Sequence, residues 1–240
     1  MISANAQLSA AVEELYRQFA TSLPQAPLNA CPCCISPAEN AVLSAVPLRQ
    51  LTADQLARYA FKALTTWGDA ADFRHFLPRI LELKASGELF TDFPVLRGKL
   101  EQAGYSAWPE PEQAAVRAVL LAGLGRQWQQ HSIDLAELGP ALDLVGGIGP
   151  VLAQWQVSEE GMVFENLAYL AAHELSTLNE HRASWVAQGF TPTVVAELNQ
   201  WFRRQVPVLE AGFFRWADEQ PALAELASWG HDYVSRLPAR

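Results

Sequence analysis

Apolar residues recur at helical spacing along most of the chain, most clearly between residues 51 and 83. Two apolar faces predict two amphipathic helices there. They comprise Leu56, Tyr59, Ala60, Ala63, Leu64 and Trp67 in the first helix, and Phe73, Phe76, Leu77, Ile80 and Leu81 in the second. Thr52 and Gln55 form a capping box, Gly68 suits the left-handed position that ends a helix, and Asp69 can cap the next helix. We therefore expect a helical hairpin joined at residues 67–69, with Trp67 facing Phe76.

The same spacing and capping signals predict helices along the rest of the chain. No run of residues alternates with period two between turn signals, so no strand is expected. The predicted fold class is all-α, with roughly ten helices in antiparallel pairs. We expect one domain spanning residues 1–240, with a soft boundary near residues 146–158.

Three Leu-rich and Pro-containing segments resemble one another, at residues 76–82, 138–143 and 205–210. Prolines 78, 140 and 207 mark equivalent positions, 62 and 67 residues apart. Stacked helical pairs would make the fold a short, HEAT-like α-solenoid, in which each repeat packs on its neighbours. The spacing matches none of the common repeats, and chance similarity in a Leu-rich and Ala-rich helical protein explains it equally well.

Composition excludes several classes of protein. Half of the 240 residues are apolar and 18% are charged, which is typical of a globular chain. The net charge of −9 and the absence of a basic run argue against nucleic-acid and anionic-membrane binding. No apolar run approaches the ~20 residues that span a bilayer, and the N-terminal segment reads as an amphipathic helix and not as a secretory signal. A cytoplasmic location is therefore expected.

A Pro-rich segment carries all three cysteines as Cys31-Pro32-Cys33-Cys34. Cys31 and Cys34 have the spacing of half a zinc site, and the missing ligands would have to be distant in sequence. His75 is the expected further ligand. The same C-x-x-C spacing also suits a redox pair, although no preceding strand supports a thioredoxin-like unit. The third interpretation is a set of small buried thiols with no chemistry.

Two further groups of polar residues are candidate sites. In the hairpin, we expect Lys62 and Asp72 to pair across the two helices, and Arg79 shares a helix face with His75. These residues and Trp67 are candidate binding residues, with a solvated helix face as the alternative. Further along, a polar stripe recurs every four residues and could line a pocket with a general base, although such stripes are more often exposed helix faces. It comprises Glu165, Tyr169, His173, Thr177 and His181.

The blocks around the cysteines and the hairpin also resemble a known group of sequences. These blocks are the Cys-Pro-Cys-Cys segment at 31–34, Tyr-Ala-Phe-Lys-Ala at 59–63, Thr-Thr-Trp-Gly at 65–68 and Asp-Phe-Arg-His-Phe-Leu-Pro-Arg at 72–79. Their combination resembles a family of uncharacterised bacterial proteins, most clearly over residues 16–85. The resemblance implies no activity.

The sequence contains no complete catalytic motif, so it leaves enzymatic activity undecided and favours a non-enzymatic protein. His173-Glu174 lacks the second histidine of a zinc-protease motif, and the glycines at 146–149 lack the lysine of a phosphate loop. The eight tryptophans and eleven phenylalanines favour a helical scaffold that binds a protein or peptide partner. The alternative is a zinc-binding or thiol-switch protein that acts through the cysteine segment. An enzyme using the face of His173 and His181 is the third interpretation.

Overall fold

The computed structural model of the protein describes residues 4–22, 24 and 27–238. This part of the chain is built from helices and contains no β-strand, so the all-α prediction is confirmed. Its extended pairing is limited to isolated bridges of Trp67 with Ala30 and with Ala63. The contacts between residues divide the chain into two compact units, Met1–Gly123 and Leu124–Arg240. The soft boundary expected near residues 146–158 lies inside the second unit, and the expectation of a single domain stays a prediction.

The described residues of the first unit form five helices and the start of a sixth. They are α1 (Ala4–Gln18), α2 (Pro37–Ala45), α3 (Ala53–Lys62), α4 (Ala70–Ala85), α5 (Phe93–Gln102) and α6 (Glu110–Gln130), with short 3₁₀ turns at Leu48–Gln50 and Tyr105–Ala107. The predicted capping box of α3 is present at Thr52, and Asp69 caps α4 as predicted, in a capping box with Asp72. A further capping box, of Ser36 and Glu39, begins α2. Helix α4 packs against both α1 and α3.

Helix α3 ends at Lys62, five residues earlier than the hairpin prediction placed the connection. Leu64 has a φ of 64°, in the left-handed region, and the N–H groups of Thr65 and Thr66 donate to the carbonyl of Lys62. The apolar spacing continues through Trp67, but this residue lies in the connection and bridges to Ala30. Pairing with the cysteine segment therefore ends the helix where periodicity alone would extend it.

Trp67 and Phe76 are both buried, as the hairpin prediction requires, but Tyr59 separates their rings. The Tyr59 ring contacts Trp67 edge-on at 5.5 Å between centroids and Phe76 at 4.7 Å. The expected facing pair is therefore a row of three aromatic rings. Tyr59 contributes to it because α3 and α4 pack directly against each other.

The second unit contains the end of α6 and eight further helices. They are α7 (Leu135–Val145), α8 (Ile148–Gln154), α9 (Gly161–Tyr169), α10 (Leu175–Glu180), α11 (Arg182–Val186), α12 (Pro192–Arg204), α13 (Val206–Trp216) and α14 (Pro221–Ser235), with a π-helical turn at Leu170–Glu174 that joins α9 to α10. Helix α14 packs against α9, α13 and this turn.

Tryptophans form the centre of the second unit. Trp128 stacks on Trp155 at 4.3 Å between centroids, and Trp201 contacts both rings edge-on. Six of the eight tryptophans in the whole chain are buried. The aromatic content therefore serves mainly the cores of the two units, and it supports a partner groove less than the sequence suggested.

The three Pro-containing segments occupy different places in their helices. Pro78 and Pro140 lie inside α4 and α7, whereas Pro207 lies in the first turn of α13, where a missing N–H costs little. The α-solenoid arrangement stays a prediction. Among the described residues no single helix is long and apolar enough to cross a bilayer, and only the pair α7 and α8, bent by 110°, meets that criterion jointly.

Candidate thiol site

The sulfurs of the three cysteines lie together in the first unit. Cys31 Sγ is 2.9 Å from Cys33 Sγ, Cys33 Sγ is 3.7 Å from Cys34 Sγ, and all three atoms lie within 4.8 Å of one another. All three are free thiols; Cys33 is exposed and the other two are partly covered. Around a tetrahedral ion with ~2.3 Å metal–sulfur bonds, neighbouring sulfurs lie ~3.8 Å apart. The Cys33–Cys34 separation of 3.7 Å matches this geometry, whereas the Cys31 and Cys33 sulfurs, at 2.9 Å, would have to move ~0.9 Å apart to bind one ion.

A tight turn brings the sulfurs together. The carbonyl of Cys31 accepts hydrogen bonds from the N–H groups of Cys34, at 3.0 Å, and Ile35, at 2.9 Å. Pro32 suits the first position inside such a turn because its φ is fixed and it has no N–H to satisfy. The chain then enters α2, where Ser36 is the N-cap and Pro37 is the first helical residue.

The α3–α4 connection holds this turn from one side. The N–H of Cys31 donates to the carbonyl of Thr66 at 2.9 Å, and the N–H of Gly68 donates to the carbonyl of Asn29 at 2.6 Å. Gly68 has a φ of 72°, which a residue with a Cβ rarely adopts. The sequence blocks at 31–34 and 65–68 are therefore hydrogen-bonded to each other.

Side chains from α2 and α3 complete the support. Asn40 accepts from the indole N–H of Trp67 at 2.8 Å and donates to the carbonyl of Leu28 at 2.8 Å. Arg58 donates to the carbonyl of Cys34 at 2.6 Å and pairs with Glu39. Because these bonds fix the backbone on both sides of the cysteines, the turn is held independently of any bond between the sulfurs.

The three thiols differ in acidity. Hydrogen bonds from the Cys33 thiol and from the backbone N–H of Cys33 lower the pKa of Cys31, and Cys34 adds to this effect. The same hydrogen bonds and the charges of the neighbouring sulfurs raise the pKa of Cys33 to about 11. One thiolate is therefore favoured at Cys31 while Cys33 keeps its proton. A cation bound by all three sulfurs would abolish this difference, because metal ions deprotonate their thiol ligands.

An apolar groove lies beside the turn. It encloses about 730 Å³ and is lined mainly by residues of the Pro-rich segment and of α2, including Pro27, Leu28, Pro32, Ile35 and Ala41. Pro32 belongs both to the groove and to the turn that carries the sulfurs. A molecule in this groove would therefore lie next to the thiol cluster.

The structure does not bring His75 into this cluster. Among the described residues, the group of metal-ligand side chains found here consists of the cysteines alone. The Nδ1 atom of His75 lies 2.7 Å from the carbonyl of Ser22, and its ring packs edge-on against Phe76. His75 is half-buried, and both contacts engage its ring away from the cysteines.

The other hairpin candidates have separate surroundings. Asp72 is fully buried and accepts from the N–H of Asp69 in the capping box of α4, and the ion pairs found among the described residues do not include the expected pair of Asp72 with Lys62. Arg79 donates to the carbonyl of Leu51 and pairs with Glu82 at 2.7 Å. Lys62 lies in a pocket against α5. Of the four binding candidates, Trp67 alone contacts the framework of the thiol site.

The polar stripe on α9 and α10 lies on an exposed helix face. Its five residues Glu165, Tyr169, His173, Thr177 and His181 are all exposed. His173 contacts the ring of Tyr169 edge-on at 5.2 Å and lies 6.3 Å from that of Trp229.

Sequence reasoning missed several residues that build the site. It assigned the half-site spacing to Cys31 and Cys34 alone, but the Cys33 sulfur lies near both others. It also missed Asn40, Glu39 and Arg58, which are ordinary surface residues by pattern. The capping box at Ser36 and Glu39 was the available signal, since it places the start of α2 directly after the cysteines.

No protein-family model, curated protein or solved structure matches the chain.

Proposed function

We propose that the protein binds a single soft metal ion, of the zinc or copper(I) class, through the thiolates of Cys31, Cys33 and Cys34. The observation that carries this proposal is the convergence of three sulfurs on a turn that is hydrogen-bonded on both sides. Thiolate ligands select zinc and copper(I) over magnesium and calcium, which prefer oxygen. Structural zinc sites have four protein ligands, whereas sites that exchange or react keep an open position. Three thiolates on an exposed turn fit the second kind.

Titration of the reduced, metal-free protein with Co²⁺ tests this proposal, with Zn²⁺ then displacing the cobalt. Thiolate-bound cobalt absorbs strongly, so the spectrum reports the ligands. We expect one equivalent to bind, and each of Cys31→Ser, Cys33→Ser and Cys34→Ser to weaken binding at least tenfold. His75→Gln is the matched control, because this residue lies outside the cluster, and it should bind as the wild type does.

Two results would refute the proposal. One is less than a tenth of an equivalent of either metal bound by the reduced protein. The other is unchanged affinity in Cys33→Ser together with a loss in His75→Gln, which would favour a site of Cys31, Cys34 and His75. A reversible Cys31–Cys33 disulfide in protein that binds no metal would instead assign the cluster to redox chemistry, since those two sulfurs are nearest each other.

A second candidate function is the binding of a polypeptide partner in the groove beside the cluster. The groove of about 730 Å³ is continuous with the turn through Pro32 and is large enough for a few side chains. The occupant that fits is a peptide segment that places a cysteine or histidine at the open metal position. Apolar neighbours of that residue would contact Leu28 and Ile35.

Labelled hexapeptides with one central cysteine or histidine, and matched peptides with serine or alanine there, test this candidate. Fluorescence anisotropy should show binding of the first set to zinc-loaded protein and at least tenfold weaker binding of the second. Equal affinity with and without zinc, and for both sets of peptides, would contradict a shared site.

A further inference from the structure

A second pocket of the first unit lies between the end of α3 and one face of α5. It encloses about 300 Å³, at the lower end of the range for small-molecule sites. Phe61, Pro94 and Val95 supply apolar surface, and Lys62 and Lys99 supply positive charge. None of the residues that line it is acidic.

The lysines are unevenly distributed. The chain has only three, at positions 62, 84 and 99, and two of them line this pocket. Lys99 is 7% exposed and its Nζ donates to the carbonyl of Ala63 at 2.6 Å. Lys62 places its Nζ 5.6 Å from the centre of the Phe61 ring. An ammonium has three N–H donors, so Lys99 retains two beyond its bond to Ala63.

These two charges lack the compensation that most arginines of the unit have. Arg58, Arg74 and Arg79 each pair with a glutamate, whereas neither lysine forms an ion pair with a carboxylate among the described residues. Burial, with a smaller contribution from Lys62, lowers the pKa of Lys99. Lys99 is buried and Lys62 is half-buried, and holding these two cations near each other is unfavourable unless a counter-charge binds there.

The bond to Ala63 gives Lys99 a structural role, but it does not account for the pocket. A cation near the end of α3 satisfies a carbonyl and favours the helix dipole. One lysine is sufficient for that, and the role requires neither the second ammonium nor the apolar wall. The pairing of two ammonium groups with Phe61 and Val95 is what a small amphipathic anion would require.

We propose that this pocket binds a small organic anion, with its carboxylate or phosphate between the ammonium groups of Lys62 and Lys99 and its apolar body against Phe61 and Val95. The site is independent of the metal site proposed above. Two classes of anion have this chemistry, carboxylates and phosphate monoesters. They differ in charge, and the experiment below distinguishes them.

Lysine labelled with ¹³C at Cε tests the proposal, because three residues give three resolvable signals in the full-length protein. The probes are phenyl phosphate, phenylacetate, inorganic phosphate and the neutral benzyl alcohol. We expect at least one of the two aryl anions to shift the Lys62 and Lys99 signals with saturation while the Lys84 signal stays fixed. Inorganic phosphate should bind at least tenfold more weakly than the better aryl anion, and benzyl alcohol should not shift the ammonium signals.

Two variants distinguish pocket binding from surface attraction. Gly98 lines the pocket, and a Cβ added there meets no atom within 4 Å, so Gly98→Leu fills the space while both lysines remain. This variant should reduce the affinity for the aryl anion at least tenfold, as should Lys62→Met. Lys84→Met, which removes the lysine that contacts Thr91 and Phe93, should not.

Three outcomes would overturn the proposal. They are equal shifts at all three lysines, equal affinity for inorganic phosphate and both aryl anions, and unchanged affinity in Gly98→Leu.

Discussion

Replacing Trp67 by Ala perturbs the residue that joins the core of the first unit to the thiol site. The side chain is 2% exposed, its ring contacts Tyr59, and its indole N–H donates to Asn40 at 2.8 Å. Truncating a buried Trp costs ~3–5 kcal/mol, and leaving the Asn40 oxygen without its donor adds ~1–3 kcal/mol where water cannot replace it. Because Asn40 is only partly covered, we expect a loss of about 4–5 kcal/mol in the free energy of unfolding.

Two variants separate the contributions to this loss. Trp67→Phe keeps most of the apolar volume and loses the hydrogen bond, so it should cost about 1–2 kcal/mol. Phe90→Ala removes an aromatic side chain of the first unit that is 82% exposed and should change stability by less than ~0.5 kcal/mol.

The assay is hydrogen exchange read by mass spectrometry over a urea series, because peptides from residues 4–123 report the unfolding of the first unit separately. A loss below about 1 kcal/mol in Trp67→Ala would refute the packing described for Trp67. A cost in Trp67→Phe equal to that in Trp67→Ala would show that the hydrogen bond, and not the buried area, dominates.

Three further predictions concern packing, a buried amide and thiol reactivity. Gly212→Ala should cost more than about 3 kcal/mol in urea unfolding of the second unit, since its Cβ would lie 1.9 Å from Phe164. Gly149→Ala in the same unit should be neutral or stabilising, because its Cβ would meet only Glu197, at 3.8 Å; equal effects would contradict these contacts. Asn166→Leu should cost about 3 kcal/mol in the same assay, because Asn166 is buried and bonds to Trp128, His131 and Ile133; a cost below about 0.5 kcal/mol would contradict this role. In reduced, metal-free protein, iodoacetamide should modify Cys31 at a pH below that needed for an ordinary thiol, because the pKa of Cys31 is lowered. It should modify Cys33 only as the pH approaches 11. Peptide mapping that finds Cys33 modified first would contradict this prediction.

Local signals in the sequence predicted the helices because each signal depends on neighbouring residues. The capping boxes at Ser36, Thr52 and Asp69 are bonds between residues three apart, so their pattern is visible without the fold. The end of α3 was not predictable in this way. It depends on the bridge of Trp67 with Ala30, which lies 37 residues away along the chain.

Part of the thiol site could be predicted because it, too, depends on residues that are neighbours in sequence. The three cysteines are neighbours in sequence, so their convergence needs only a local turn. His75 was assigned to them because its block was distinctive, but its imidazole contacts Ser22 and Phe76. The support from Asn40 and Arg58, and the placing of Lys62 beside Lys99, arise from packing between helices. No local pattern encodes these contacts.

X-ray absorption at the zinc edge of the loaded protein tests the three-thiolate site most directly, because it counts the sulfurs bound to the ion. We predict three sulfur ligands at ~2.3 Å and one oxygen or nitrogen at ~2.0–2.1 Å, with one sulfur fewer in Cys33→Ser. A shell of two sulfurs together with the scattering of a coordinated imidazole, unchanged in Cys33→Ser, would contradict the account.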